Sequence, residues 1–150
     1  MATPRSLKLL LDHAHRQTDD AAINLGKLNL KQQEAEKTLQ LLVEYRENYQ
    51  TQFLESAGNG ISPVEWRNFK AFISKLDTAI HAQQKLVAMT QQHTEAGNMQ
   101  YHAHRKKLKS YDTLSQRAKL RHQSCLQKQE QGRLDEHTAH AFSKQQRNEN

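Results

Sequence analysis

The chain has 150 residues, of which 35% are hydrophobic and 25% charged, and it contains five glycines and two prolines. Gln, Lys, Glu, Leu and Ala dominate this composition, which excludes a large globular core and is typical of long, exposed helices. The net charge of +6 is localised, because residues 102–150 carry 11 basic and 5 acidic side chains whereas residues 1–101 carry 11 of each.

A heptad repeat runs through the first third of the chain. Counted from Leu7, and with the second core position four residues later, eleven of fourteen core positions as far as Phe53 are apolar. A period of 3.5 residues sustained over this length predicts a supercoiled helix that packs against a partner helix. Three polar core positions can set the register of that pair: Thr18, Gln32 and Arg46.

The repeat stops at a segment that combines helix-ending and helix-starting residues. Gly58 and Gly60 can take the positive φ that follows a helix. Ser62 is a suitable N-cap, Pro63 fits the first helical position, and Glu65 completes an S-x-x-E capping box. These residues predict the turn of an antiparallel helical hairpin.

A second heptad repeat starts at Phe69 and is strongly apolar to Val87 and again from residue 101 to 118. Between these parts, Thr90, Thr94 and Gly97 occupy core positions, and we expect this section to be the loosest part of the pair. Cys125 falls on a later core position, where we expect a small buried hydrophobic residue rather than a nucleophile.

The sequence therefore predicts an all-α fold, in which two long helices form an antiparallel coiled-coil hairpin. Gly132 interrupts the second repeat, and the last segment, residues 143–150, shows no periodicity. The predicted single domain over residues 1–150 consists of helix one at about 5–55, a turn at 56–63, helix two at about 63–130 and a frayed basic tail at 132–150.

The sequence predicts a cytoplasmic chain. No apolar run approaches the length of a membrane span, and the run Leu9–Leu11 is too short for a signal peptide. The lone cysteine excludes an intrachain disulfide and is typical of a reducing compartment.

No catalytic residue, metal site or cofactor is predicted. The sequence has no phosphate-binding loop of the G-x-x-x-x-G-K-[ST] kind. The nine histidines lack a second pair or a carboxylate at a ligand spacing, so solvated histidine is favoured over a metal site. Three pairs of histidines lie two or three residues apart: His13 with His15, His102 with His104, and His137 with His140.

The strongest basic run is Arg105, Lys106, Lys107 and Lys109. No aromatic stacking platform or nucleic-acid motif accompanies it, so a solvated helix face is favoured over nucleic-acid binding. Among functional interpretations we prefer an acidic protein partner.

Large apolar side chains crowd both sides of the turn: Leu42, Tyr45, Tyr49, Phe53, Trp66, Phe69, Phe72 and Leu76. Tyr45 and Phe72 lie beside the core positions, where a two-helix hairpin cannot bury them fully. Excess apolar surface of this kind indicates a docking surface.

These same residues resemble the FliJ family of flagellar export proteins. The resemblance covers nearly the whole chain and is most specific between residues 39 and 80, through the segments Leu42–Tyr49, Gly58–Ile61 and Trp66–Leu76. Thr38 and Gln83 depart from the residues common in the family.

The resemblance implies a two-helix coiled coil in the cytoplasmic ATPase complex of flagellar type III secretion. Its partners would be the hexameric export ATPase, in whose pore it stands as a stalk, the cytoplasmic domain of the export-gate membrane protein FlhA, and export chaperones. The implied gate-docking residues are Leu42, Tyr45, Tyr49, Phe72, Leu76 and Ala79.

We expect a non-enzymatic protein that couples the ATPase ring to the gate at the cytoplasmic face of the inner membrane, in the flagellar basal body. It would reach the membrane only through its partners. The four basic residues at 105–109 are assigned to the ATPase ring. The alternatives are a basic helical hairpin that binds nucleic acid, although nucleic acid is not the expected partner, and a general secretion chaperone.

Overall fold

The computed structural model describes residues 4–149 and consists of two helices, α1 at Pro4–Ala57 and α2 at Pro63–Glu149. No strand occurs in this described range. The two helices pack antiparallel along their apolar core positions, so the predicted all-α hairpin is confirmed. Residues 1–3 and 150, which the predicted domain includes, lie outside the described range.

Contacts within the chain fall into two compact units. One unit is Thr18–His104, which contains the turn and the parts of both helices next to it. The other combines the start of α1 with α2 from Arg105 onward. The patch near the turn belongs to the first unit and the basic run to the second.

The turn follows the end of α1 at Ala57. The Gly60 amide donates a hydrogen bond to the Ala57 carbonyl oxygen at 3.0 Å, and the Asn59 amide donates to the Ser56 carbonyl oxygen at 3.3 Å. Gly60 has a φ of +89°, which glycine adopts without steric cost. Gly58 does not take a positive φ, so of the two glycines only Gly60 supplies the left-handed conformation expected from the sequence.

The capping box starts α2 as the sequence predicts. The Glu65 amide donates to Ser62 Oγ at 3.2 Å, and the Ser62 amide donates in return to Glu65 Oε2 at 3.4 Å. Pro63 is the first residue of the helix, where its missing amide hydrogen costs no helical hydrogen bond. Two amides at the helix start are thereby satisfied within the turn itself.

The heptad pattern of each helix determines which side chains are shielded from solvent. All fourteen core positions of α1 are buried or half-buried, and so are the core positions of α2 from Phe69 to Ala118. Ala14 and Ala35 of α1 and Leu76 of α2 are among the most buried apolar residues. The predicted core positions are therefore confirmed over this length, and they form a narrow seam rather than a globular core.

The section around Gly97 is closely packed, contrary to the expectation of a loose middle. Gly97 is buried, and Leu25 and Leu28 of α1 fill the space above its Cα. Thr94 Oγ1 donates to the Leu28 carbonyl oxygen at 3.3 Å, so a side chain of α2 is bonded to the backbone of α1. The small core residues bring the helices together, because they leave no bulk to hold them apart.

A second side chain bonds across the seam nearer the turn. Gln83 Nε2 donates to the Ala35 carbonyl oxygen at 3.0 Å. Gln83 and Thr94 thus both reach the backbone of α1, and polar core positions in this section contribute interhelical hydrogen bonds. Such bonds favour one register of the helix pair over its neighbours.

α2 extends beyond the predicted helix end near residue 130 and includes residues 132–149 of the segment predicted as a frayed tail at 132–150. The helix continues through Gly132 to Glu149. A glycine lowers helix stability by about 1 kcal/mol relative to alanine but retains its amide hydrogen, so it does not end a helix by itself. Flanking pairs on the same helix, Gln131 with Asp135 and Arg133 with Glu130, add local support.

The seam ends at Ala118, since the following core positions, His122 and Cys125, are exposed. The expectation of a buried Cys125 is therefore wrong. Cys125 is exposed because the described part of α1 begins at Pro4. Pro4 lies beside Ser115 and Ala118 of α2, with which it lines one groove, and Cys125 comes later in α2. Neither helix, within residues 4–149, contains a stretch both long and apolar enough to cross a membrane.

Candidate docking surface

The two stripes of residues predicted to dock a partner come together near the turn. Tyr45 and Tyr49 lie one turn apart on α1, and their rings meet Phe72 of α2. The ring centroids of Tyr49 and Phe72 are 4.6 Å apart, and those of Tyr45 and Phe72 are 6.2 Å apart in an edge-to-face arrangement. These three rings form one continuous aromatic surface that spans both helices.

The six predicted docking residues form one patch with a buried side and an exposed side. Leu76 is only 8% exposed and belongs to the seam, whereas Tyr45 is 52% exposed. Phe72 is half-buried, as are Leu42 and Tyr49, and Ala79 is exposed. The patch therefore offers apolar surface to solvent while being anchored in the core, which is typical of a binding surface.

Stacked aromatic rings continue from this patch toward the turn. Phe53 and Phe69 stack face to face, with centroids 3.8 Å apart and planes within 5°. Tyr49 also contacts Phe69, at a centroid distance of 5.7 Å, and Trp66 lies 6.0 Å from Phe53. The Tyr49–Phe69 and Phe53–Trp66 pairs lie at the separations where aromatic pairs contribute about 0.5–1.5 kcal/mol beyond their buried area, so they stabilise the position of the docking rings.

An ion pair between Arg46 and Asp77 joins the two helices beside the patch. The Arg46 guanidinium donates two hydrogen bonds to the Asp77 carboxylate, one from Nε to Oδ1 and one from Nη2 to Oδ2 at 3.5 Å. These bonds, and the attraction of the Asp77 charge, raise the pKa of Arg46 above its usual value. The guanidinium also donates from Nη1 to Gln50 Oε1 at 3.3 Å.

Sequence reasoning identified Arg46 as a polar core position but did not name its partner. Asp77 follows the core residue Leu76 and lies three residues farther from the turn than Arg46 does, so sequence distances alone do not pair the two residues. The Arg46–Asp77 ion pair lies next to the patch on both helices, because Tyr45 precedes Arg46 and Leu76 precedes Asp77.

The four basic residues assigned to an ATPase ring do not form one face of α2. Arg105, Lys106, Lys107 and Lys109 are all exposed and project around much of the helix circumference. Lys107 Nζ lies 5.9 Å from the centre of the Tyr111 ring. Lys106 and Lys109 instead share a shallow groove of about 400 Å³ with four other residues of α2, which are Ser110, Thr113, Leu114 and Arg117.

A larger groove of about 780 Å³ lies where α1 begins, and sequence reasoning missed it. Leu7 and Leu11 of α1 line it together with Ser115, Ala118 and other residues of α2. It exists because small α2 side chains face the leucines of α1 at this end of the seam.

Within residues 4–149, no three His, Cys, Asp or Glu side chains come together in a way that would hold a metal ion. The fold and the patch together define a class of protein, the two-helix coiled-coil hairpin that carries an exposed aromatic surface near its turn.

Comparisons with known proteins identify the family within this class. Residues 4–147 match the family described as Flagellar FliJ protein. The chain is 28% identical to the Flagellar FliJ protein of Salmonella typhi over 136 residues, which cover 91% of this chain and 92% of the relative. It is 27% identical to the Flagellar FliJ protein of Escherichia coli (strain K12) over 117 residues, or 78% and 80% of the two chains.

The chain belongs to the FliJ family of flagellar proteins. The resemblance inferred from the sequence is thereby confirmed, and the chain is a component of flagellar type III protein export.

Proposed function

We propose that this chain is a non-enzymatic stalk that couples the hexameric flagellar export ATPase to the export gate FlhA and escorts export chaperones. The observation that supports this function best is the half-exposed aromatic patch that spans both helices beside the turn. The proposed setting is the cytoplasmic face of the inner membrane, at the flagellar basal body.

The patch suits a protein partner because it combines exposed aromatic area with a fixed geometry. Tyrosine and other aromatic residues contribute a large share of binding energy at interfaces and lose little conformational entropy when they bind. Here Tyr45 is held against Phe72, and the neighbouring Arg46–Asp77 pair joins the same parts of the two helices. The cytoplasmic domain of FlhA is the proposed partner for this patch.

The basic run is the proposed contact with the ATPase ring. Four cations within five residues, at 105–109, create a strong local positive potential, and such a potential speeds association with an acidic surface. Their spread around α2 suits an environment that surrounds the helix, such as the pore of a ring. A contact of this kind weakens as ionic strength rises.

The patch is tested by measuring binding to the purified cytoplasmic domain of FlhA. Tyr45→Ala and Phe72→Ala are each compared with Leu30→Ala, which removes an exposed large apolar side chain outside the patch. We expect each patch variant to weaken binding about tenfold or more, as hot-spot residues do, and Leu30→Ala to leave binding unchanged.

Thermal melting of the same variants separates docking from structural support. Tyr45→Ala should melt close to the wild type, because half of its side chain is already in solvent. Leu76→Ala, a seam variant, should lose about 2–5 kcal/mol of unfolding free energy. Intact binding by both Tyr45→Ala and Phe72→Ala would contradict the proposed docking role.

A further inference from the structure

Five cations lie on the side of α2 that faces away from α1, and we call them the basic outer stripe: Lys106, Lys109, Arg117, Arg121 and Lys128. All five are exposed. At 100° per residue they fall within about one third of the helix circumference, along a line of about 33 Å. The opposite side carries the half-buried core positions, including Leu108, Tyr111 and Ala118.

Ion pairs within residues 4–149 do not neutralise the charge of the stripe. Asp112 is the only acidic residue between positions 105 and 128. It lies on another side of the helix and accepts a hydrogen bond from Gln116 Nε2 at 3.3 Å. In the described residues, 4–149, the recorded ion pairs involve Arg46 and Arg133 and none of the stripe cations.

Exposed aliphatic side chains accompany the stripe. Leu114 is 43% exposed and Leu120 is 65% exposed, and both project on the same side of α2 as the cations. Leu114 lines the shallow groove shared by Lys106, Lys109 and Arg117. The surface therefore combines a straight row of positive charge with isolated leucines.

We propose that the basic outer stripe binds directly to an anionic phospholipid membrane surface. The cations would contact headgroup phosphates while Leu114 and Leu120 enter the interface, which is how basic helices with exposed leucines associate with bilayers. A straight face fits a plane. Single-stranded nucleic acid is less suited, because it favours aromatic stacking platforms and the stripe contains no aromatic residue.

This direct contact departs from the expectation that the chain reaches the membrane only through its partners. It is independent of the proposed contacts with the gate and the ATPase, since neither partner is needed for it. Only Lys106 and Lys109 belong to both the stripe and the run assigned to the ring, so the other three stripe residues test the membrane contact alone.

The test is sedimentation of the full chain with vesicles of phosphatidylethanolamine and phosphatidylglycerol, compared with vesicles of phosphatidylethanolamine and phosphatidylcholine. The stripe variant carries Arg117→Gln, Arg121→Gln and Lys128→Gln. The matched control carries Arg105→Gln, Lys107→Gln and Lys119→Gln, which remove the same charge from exposed sites of α2 outside the stripe.

We expect the wild type to sediment with the anionic vesicles only, and less at high salt. The stripe variant should bind about a hundredfold more weakly, because each basic residue near a membrane surface contributes about fivefold, and the control should lose much less. A conservative variant with Arg117→Lys and Arg121→Lys should retain binding, because it keeps the positive charge at both positions.

Two kinds of result would overturn the proposal. Equal losses in the stripe variant and the control would mean that net charge alone governs the interaction. Failure to sediment with anionic vesicles, combined with stripe-dependent binding to single-stranded DNA in a mobility shift, would assign the stripe to nucleic acid. Failure in both assays would leave the stripe as a solvated helix face.

Discussion

Gly97 of α2 lies so close to Leu28 of α1 that a Cβ atom added at position 97 would come within 2.5 Å of Leu28 Cδ1. Leu25 Cδ1 would lie 3.6 Å from the same added Cβ atom. The absence of a side chain at this core position therefore allows the two helices to approach each other. From the sequence, Gly97 was expected to loosen the helix pair at this position, because a glycine lowers helix propensity.

The first prediction follows from this contact. Gly97→Ala should destabilise the protein by up to about 2 kcal/mol, since overpacking costs about 1–3 kcal/mol and the gain in helix propensity offsets about 1 kcal/mol of that cost. Gly132→Ala is the matched control, because nothing lies within 4 Å of its added Cβ, and it should stabilise the helix. Urea unfolding followed by circular dichroism measures both; equal stabilisation by the two variants would contradict the close packing.

The second prediction concerns Arg46 and Asp77. Asp77→Asn should lower the melting temperature slightly at low salt and less at high salt, because both groups are partly exposed and their attraction is screened. The double variant Arg46→Asp, Asp77→Arg should recover stability relative to either single reversal. A double variant no more stable than the single reversals would show that the pair does not contribute. The raised pKa of Arg46 adds no pH dependence near neutrality, because its charge is lost only above the usual arginine range.

The third prediction tests the antiparallel pairing at the start of α1. Spin labels at Lys8 and Lys109 should lie within about one interhelical spacing plus their linkers and a small axial offset. Labels at Lys8 and Lys119 should also be close, because both residues line the groove next to Pro4. A label at Lys144 should lie farther from Lys8, since α2 rises about 38 Å between residues 119 and 144. Double electron–electron resonance measures all three distances, and a separation of a full helix length for the first pair would rule out the hairpin.

The fourth prediction concerns the proposed ATPase contact. Reversal of Arg105, Lys106, Lys107 and Lys109 to Glu should reduce the stimulation of export ATPase turnover, and rising salt should reduce it for the wild type. The control reverses four exposed cations of the other unit to Glu, which changes the net charge equally: Lys31, Lys37, Lys75 and Lys85. Unchanged stimulation by the folded reversal variant would refute the contact. An equal loss of stimulation in the control would show that the net charge of the chain, and not this contact, governs the effect.

The sequence by itself determined the hairpin. A heptad repeat is a local property of each helix, so it predicts which side chains face a partner, and the core positions from Leu7 to Ala118 are shielded as predicted. The capping box is equally local, because Ser62 and Glu65 satisfy each other's amides within one turn. The meeting of the stripes at residues 42–49 and 72–79 followed from their similar distances to that turn.

Only the tertiary structure decided the features that depend on distances between the helices. Arg46 and Asp77 are 31 residues apart, and their contact requires an exact axial register that periodicity does not specify. Whether Gly97 stabilises or destabilises the helix pair depends on how closely Leu28 approaches it. Cys125 occupies a core position of the heptad yet is exposed, because the repeat encodes which side of a helix faces inward and not where the partner helix begins.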